Sequence, residues 1–336
     1  MPNVWAHFIF GQIVLEELGE SGLLEVNEHK NMFNMGCQGP DFLFYHRFFP
    51  WQRSIAMVRM GTEMHNRHCG PVMAKLLESV TGRSAGPADP DPSVLYALGF
   101  LLHHILDRNL HPYVFSKSGF RKWDHQRFEI MMDTLLVREL WGIDTWDTPV
   151  WRYLETNGAF PPAIVDAFMS ITDTFYPDLS GLVLKEDWNQ ANRDFVAAQR
   201  LFHDPSGIKR RLTFGKIEPF VYKRGLITYD ILNVAEKPWI DPVDRSVVHH
   251  ESVWTLWDRA LADALEVVPA VLAWLRAHEH PQQANEESSR IPQLREKAIM
   301  LIGNRSYETG LDCGSGLAIR YADTIWEDQP GITENG

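Results

Sequence analysis

Apolar positions along this chain recur at the spacing of helices, and alternating strand patterns are almost absent. Residues 6–18 place Phe10, Ile13, Val14 and Leu18 on one stripe, with His7 on the Val14 side and Gly19 and Gly22 at the exit. The stripe returns through Leu95, Leu98, Leu102, Ile105 and Leu106, where Ser93 is placed to cap a helix and Pro112 to stop it. After a short loop at Ser118 and Gly119, Asp124 is placed to cap the next helix. Later helical stretches fall at 162–175, 188–202, 252–278 and 294–301, and no internal repeat appears. The expected fold is all-α, a multi-helix bundle.

Two stretches break the periodicity. Residues 31–51 carry Gly36, Gly39 and Pro40 just before Asp41, which reads as a turn that fixes one carboxylate. The aromatic run that follows, Phe42, Phe44, Tyr45, Phe48, Phe49 and Trp51, reads as core or wall. His65 lies on a short helical segment, 61–69, that Gly70 and Pro71 interrupt, with His68 a weaker neighbour. Residues 81–92 form a polar, Pro-rich connection within one unit, because candidate ligands lie on both sides of it. The expected organisation is a helical domain over 1–280 with a C-terminal helix and irregular tail, 281–336, packed on it.

Between Leu95 and Glu129 the chain concentrates metal-ligating side chains. His103 and Asp107 are four apart and share a helix face, His111 continues the row, and His125, Glu129 and Asp133 repeat the step on the next helix. A single His on an apolar face is more often a satisfied core residue than a ligand. Two facing His-x-x-x-carboxylate pairs point instead to a metal site in a helical bundle, and imidazole with carboxylate suits zinc. Burying so many ionisable groups without a cation would be costly.

Composition narrows the partners. At 336 residues and 45% hydrophobic, the chain has enough apolar surface for a sizeable core. A formal charge of -12 argues against long nucleic acids and anionic membranes as general partners. Residues 209–224 run against this balance with six basic residues and one acid, and read as a solvated loop ahead of a phosphate-steering rim. Three cysteines without CxxC spacing predict no disulfide framework. No export signal is read at the start, and the apolar run 267–275 is too short for a transmembrane segment, so a cytoplasmic location is expected.

Taken in order, His7, the GPD ending at Asp41, the MH ending at His65, GFLLHHILD over 99–107, the HPY at His111 and the HxxxE from His125 resemble the zinc-dependent phospholipase C family, distantly related to the S1/P1-type nucleases. Asn233, Trp239 and Pro242 also look like family positions. The resemblance implies an all-helical fold with two or three zinc ions in a cleft, and hydrolysis of a small phosphodiester or phospholipid by a metal-bound hydroxide. Carried over, Asp41, His65, His103 and Asp107 match the ligands of a first zinc, and His111, His125 and Glu129 those of a second. His7 matches a ligand of the third, with Asp107 bridging. Asp41 is the carboxylate also implied as base, and Phe42 the apolar wall of a substrate pocket. His104 and Asp133 have no ligand role in this scheme. The resemblance further implies a role for the mature amino terminus at the third metal, and Pro2 stands five positions before His7, as in the nuclease branch. An S1/P1-like nuclease or nucleotidase, or a non-catalytic metal-binding protein, are the alternatives.

Overall fold

Asn3 opens the first helix, its side chain accepting the Val4 N–H at 2.9 Å, and α1 runs Val4–Glu17 with every residue from Val4 to Gly11 buried. The computed structural model describes residues 3–49, 52, 55–225, 227–279 and 290–328, so Pro2, Trp51 and residues 281–289 lie outside the described residues. Eleven α-helices are described: after α1 come α2 (Asn27–Gly36), α3 (Ile55–Asn66), α4 (Cys69–Glu78), α5 (Pro92–Ser118), α6 (Asp124–Trp141), α7 (Pro162–Phe175), α8 (Lys185–Phe202), α9 (Ile208–Leu212), α10 (Val253–Arg276) and α11 (Ile291–Ile302). The described strand content is one two-residue antiparallel pair, Trp239–Ile240 against Val248–His249. The fold is all-α, as the periodicity predicts.

The axis of the molecule is α5, buried nearly all round and packed by α1, α2, α4, α6, α7 and α10. Its start differs from expectation. Asp91 caps it, Oδ1 accepting the Ser93 N–H at 2.7 Å, while Pro92 takes the first helical position, where its missing N–H costs nothing, and Ser93 lies buried inside. Pro112 does not end it either. The helix continues to Ser118, and the Arg108 carbonyl, which Pro112 cannot serve, faces the Arg305 guanidinium at 3.5 Å. Asp124 is the first residue of α6 and not its cap; Trp123 precedes it with a φ of 72°. The break between α3 and α4 falls at His68, with a φ of 60°, and Gly70 and Pro71 sit in the first turn of α4.

No apolar stripe in the sequence announces α2. Its first half is polar and half-exposed, and only Met32–Gly36 is buried, so the apolar stripe is too short to show. This last turn crosses α5 at closest approach: a Cβ on Gly36 would overlap the Tyr96 carbonyl, and one on Gly99 the Phe33 carbonyl. The crossing brings the turn after α2 against the ligand-bearing part of α5. Gly99→Ala therefore tests the scaffold. Alanine favours a helix over glycine by about 1 kcal/mol, but the overlap is with backbone, so a net loss of roughly 1–3 kcal/mol is expected in a urea titration. An unchanged or raised midpoint would show that the close crossing is not required.

Candidate metal centre

Five elements converge on one buried volume. His7 comes from α1, Asp41 from the 3-10 turn Asp41–Tyr45, and His65 from the end of α3. From α5 come His103, Asp107 and His111, and from α6 His125 and Glu129. All eight are buried except His125, which is partly exposed. Their donor atoms fall into three groups, each within 4.8 Å: His7, His103 and Asp107; Asp41, His65 and His103; His111, His125 and Glu129. His103 belongs to two of them.

Asp107 stands between the groups. Its Oδ2 is 2.9 Å from His103 Nε2, and its Oδ1 is 3.4 Å from His7 Nε2 and 3.5 Å from His111 Nε2. Asp41 Oδ1 lies 3.0 Å from His65 Nε2, and Glu129 Oε1 lies 2.6 Å from His125 Nε2. Glycine makes the first of these possible. Gly39 turns the chain at a φ of 50°, and a Cβ there would overlap the His103 ring.

Four imidazoles are tied back through their other nitrogen. His65 Nδ1 meets the Gly61 carbonyl at 2.6 Å, His103 Nδ1 the Cys37 carbonyl at 3.0 Å, His111 Nδ1 the Tyr307 carbonyl at 2.8 Å, and His125 Nδ1 the Ser118 hydroxyl at 3.2 Å. A carbonyl accepts only, so each of the first three Nδ1 atoms carries the proton and each Nε2 can offer its lone pair inward. That is how ligand histidines are oriented.

The electrostatics agree with this arrangement. Burial pushes His111 and His125 well below the usual imidazole range, leaving them neutral, as ligands must be. Burial opposes charge on Asp107 too, yet His103, by charge and by hydrogen bond, outweighs it and holds this carboxyl well below the usual range. At His65 burial works against a proton, but the hydrogen bond and charge of Asp41 prevail and raise its pKa. These carboxylates draw positive charge to the Nε2 side of the rings. Both Asp107 oxygens, His103 Nε2 and His111 Nε2 are buried without a well-oriented hydrogen bond, which is rare in a folded protein and fits a divalent cation.

Other residues have different places from those expected. Phe42, expected as the apolar wall of a substrate pocket, is fully buried in the core among Phe160, Phe168 and Trp188. Phe44, two positions on and 37% exposed, stacks on His65 at 5.4 Å. His104 points away from the cluster, with Nε2 on the Arg305 carbonyl at 2.7 Å. Asp133 anchors α1: its two oxygens accept the Trp5 and Ala6 N–H groups, both at 3.0 Å, and one also accepts the Tyr222 hydroxyl at 2.7 Å. Burial raises this carboxyl to about 7. His68 stacks on Phe175. In the basic segment, Lys209 Nζ donates to the carbonyls of Arg200, in the last turn of α8, and of His203, and Arg210 pairs with Asp204, so these side chains hold the segment onto α8 and the turn that follows it. Asn233 and Trp239 bind backbone carbonyls around Glu251 and Lys237, while the Pro242 carbonyl holds the backbone N–H groups of Arg320 and Tyr321.

One participant had no motif to announce it. Tyr307 is buried with its ring 5.1 Å from His65, 5.7 Å from His103 and 4.4 Å from His104. Its carbonyl holds His111 and its N–H donates to the His65 carbonyl at 2.9 Å. Two of these contacts are made by backbone atoms, which residue type does not encode.

Residues 6–171 match the family described as zinc dependent phospholipase C. The matched segment belongs to that family. The matched segment contains all eight converging residues, and Tyr307 lies beyond it. No curated protein and no solved structure matches the chain. Among the described residues no helix is long and apolar enough to cross a membrane.

If the cluster binds metal, His103→Ala and Glu129→Ala should each lose bound zinc and lower the melting temperature, because the remaining buried groups are left uncompensated. A full zinc complement in both variants would refute the assignment. Asp133→Ala strips partners from two backbone N–H groups and a hydroxyl, so a cost of about 1–3 kcal/mol is expected. It should also speed zinc loss to a chelator by loosening His7, with Tyr222→Phe milder on both counts. Equal stability in Asp133→Ala and the parent would remove the anchoring role.

Proposed function

We propose that this chain is a zinc-dependent phosphodiester hydrolase of the phospholipase C type. The observation that carries the reading is the buried Asp107 carboxylate, met by the Nε2 atoms of three imidazoles, His7, His103 and His111. In this reading Asp41, His65, His103 and Asp107 hold one ion and His111, His125 and Glu129 a second. His7, with Asp107, would hold a third. Zinc, when bound, supplies Lewis acidity and a water acidic enough to ionise near neutral pH.

The chain's own residues do the rest. Asp41, at the start of its 3-10 turn and beside His65, is placed to take a proton from the attacking water as well as to bind metal. The Nδ1 contacts of His65, His103, His111 and His125 keep the rings from turning, so geometry is set before substrate arrives. Phe44 supplies an apolar face beside His65 against which a glycerol or alkyl leaving group can lie. Residues 1–280 act as the hydrolase unit and 281–336 as a segment packed on it, contributing Tyr307. The substrate is a small phosphodiester or phospholipid, since the acidity of the chain opposes long polyanions.

The test is turnover by the zinc-loaded chain of a chromogenic phosphodiester, phosphatidylcholine vesicles and a short oligonucleotide. Hydrolysis of the first two, abolished by a chelator and restored by zinc, is the expected outcome, with Asp41→Asn lower in turnover by roughly a hundredfold or more. Preference for the oligonucleotide would move the reading to the S1/P1 branch. Full zinc occupancy with no turnover of any of the three would favour a metal-binding protein without catalysis.

A further inference from the structure

Two thiols meet beside the cluster in a place that no ligand role uses. Cys69 begins α4, and Cys313 follows 244 positions later in the turn after Tyr307, yet their Sγ atoms stand 3.4 Å apart. Both are free thiols, Cys69 buried and Cys313 half-buried, so an oxidant in solution reaches the pair through Cys313. The third cysteine, Cys37, is buried elsewhere, at the end of α2, where its carbonyl holds His103.

The backbone around the pair is part of the frame that orients the ligands. Cys69 Sγ lies 3.5 Å from the carbonyls of Met64 and His65. Across from it, the Cys313 N–H donates to the Asn304 carbonyl at 2.8 Å, and the Asn304 side chain accepts the Gly70 N–H at 3.1 Å. The same loop supplies the Tyr307 carbonyl to His111 and the Arg305 carbonyl to His104. Whatever fastens residues 304–313 to residues 65–70 therefore fastens the acceptor that aims His111.

We propose that Cys69 and Cys313 form a reversible disulfide that locks the 304–313 loop onto the metal centre. The oxidant is a small disulfide such as oxidised glutathione. The Cys313 thiolate attacks one of its sulfurs, giving a mixed disulfide and releasing one thiolate; Cys69, losing its proton, then attacks the Cys313 sulfur and releases the second. The protein loses two protons and two electrons, and the oxidant gains both as two thiols. The chemistry of Cys313 suits the first step, since its hydrogen bond with Cys69 outweighs burial and brings its thiol down to about 7, leaving a large thiolate fraction at neutral pH. Joining residues so distant in the chain also restricts the unfolded state strongly.

The consequence for metal retention rests on the metal centre described above, whereas disulfide formation itself does not. The zinc-loaded full chain is incubated with oxidised glutathione or with a phosphine reductant, quenched in acid, and its thiols counted in denaturant and mapped by peptide mass. Zinc release to a chelator is followed in parallel. The expected result is a fall from three thiols to one, a Cys69–Cys313 linked peptide, and zinc release slowed severalfold in the oxidised form. Cys37→Ser should show the same link and the same slowing, and Cys313→Ser should release zinc at one rate in either condition. Three persistent thiols, a link through Cys37, a stable glutathione adduct, or equal release rates from oxidised and reduced chains would each overturn the proposal. None of those results would touch zinc-dependent turnover, which is measured separately.

Discussion

Everything in this fold that bears on chemistry is arranged around one buried anion. Asp107 lies at the middle of the central helix with no solvent contact, and the ion pairs recorded for it and for Asp41 are all with imidazoles. Taking a carboxylate out of water costs several kcal/mol even after the protein relaxes, and a neutral imidazole brings no charge to offset that. A stable fold with this constellation calls for positive charge among the Nε2 atoms. Protons supply some of it at His65, where Asp41 raises the pKa, but His111 and His125 are held neutral by burial. A divalent cation compensates several carboxylates at once and uses the lone pairs that the rings present.

The rest of the scaffold works to keep those groups aimed. The glycine crossing of α2 and α5 and the tight turn at Gly39 let Asp41 reach His65 while His103 sits directly behind. Asp133 pins the first turn of α1 and thereby the height of His7. The C-terminal loop closes the far side, Tyr307 serving both His111 and His65 through its backbone. Rigid support of this kind, from helices and not from mobile loops, is what a multi-metal site requires if ligand geometry is to be set in advance.

Much of this was legible in the sequence, for a physical reason. Helical periodicity and the four-residue step place His103, Asp107 and His111 on one face without any knowledge of the fold, and the ordered motifs supply His7, Asp41, His65, His125 and Glu129. What was not legible depends on tertiary contact. The α2 helix is polar on its exposed side and shows no stripe. Pro112 is tolerated because a residue far along the chain faces the Arg108 carbonyl it leaves unserved. Phe42 and Phe44 are equivalent in composition, and only the 3-10 geometry of their turn sends one to the core and the other to His65. Tyr307 acts largely through its backbone, and Asp133, though on the His125 and Glu129 spacing, turns to the start of α1. Cysteines with no motif spacing give no sign that two of them touch.

The most direct test of the account is X-ray absorption at the zinc edge on the zinc-loaded protein. Nitrogen and oxygen neighbours at about 2.0–2.2 Å, with the outer scattering of several imidazoles and no sulfur, are the result expected from this ligand set. Sulfur neighbours at about 2.3 Å, or zinc surrounded by water oxygens with no imidazole signal, would contradict it.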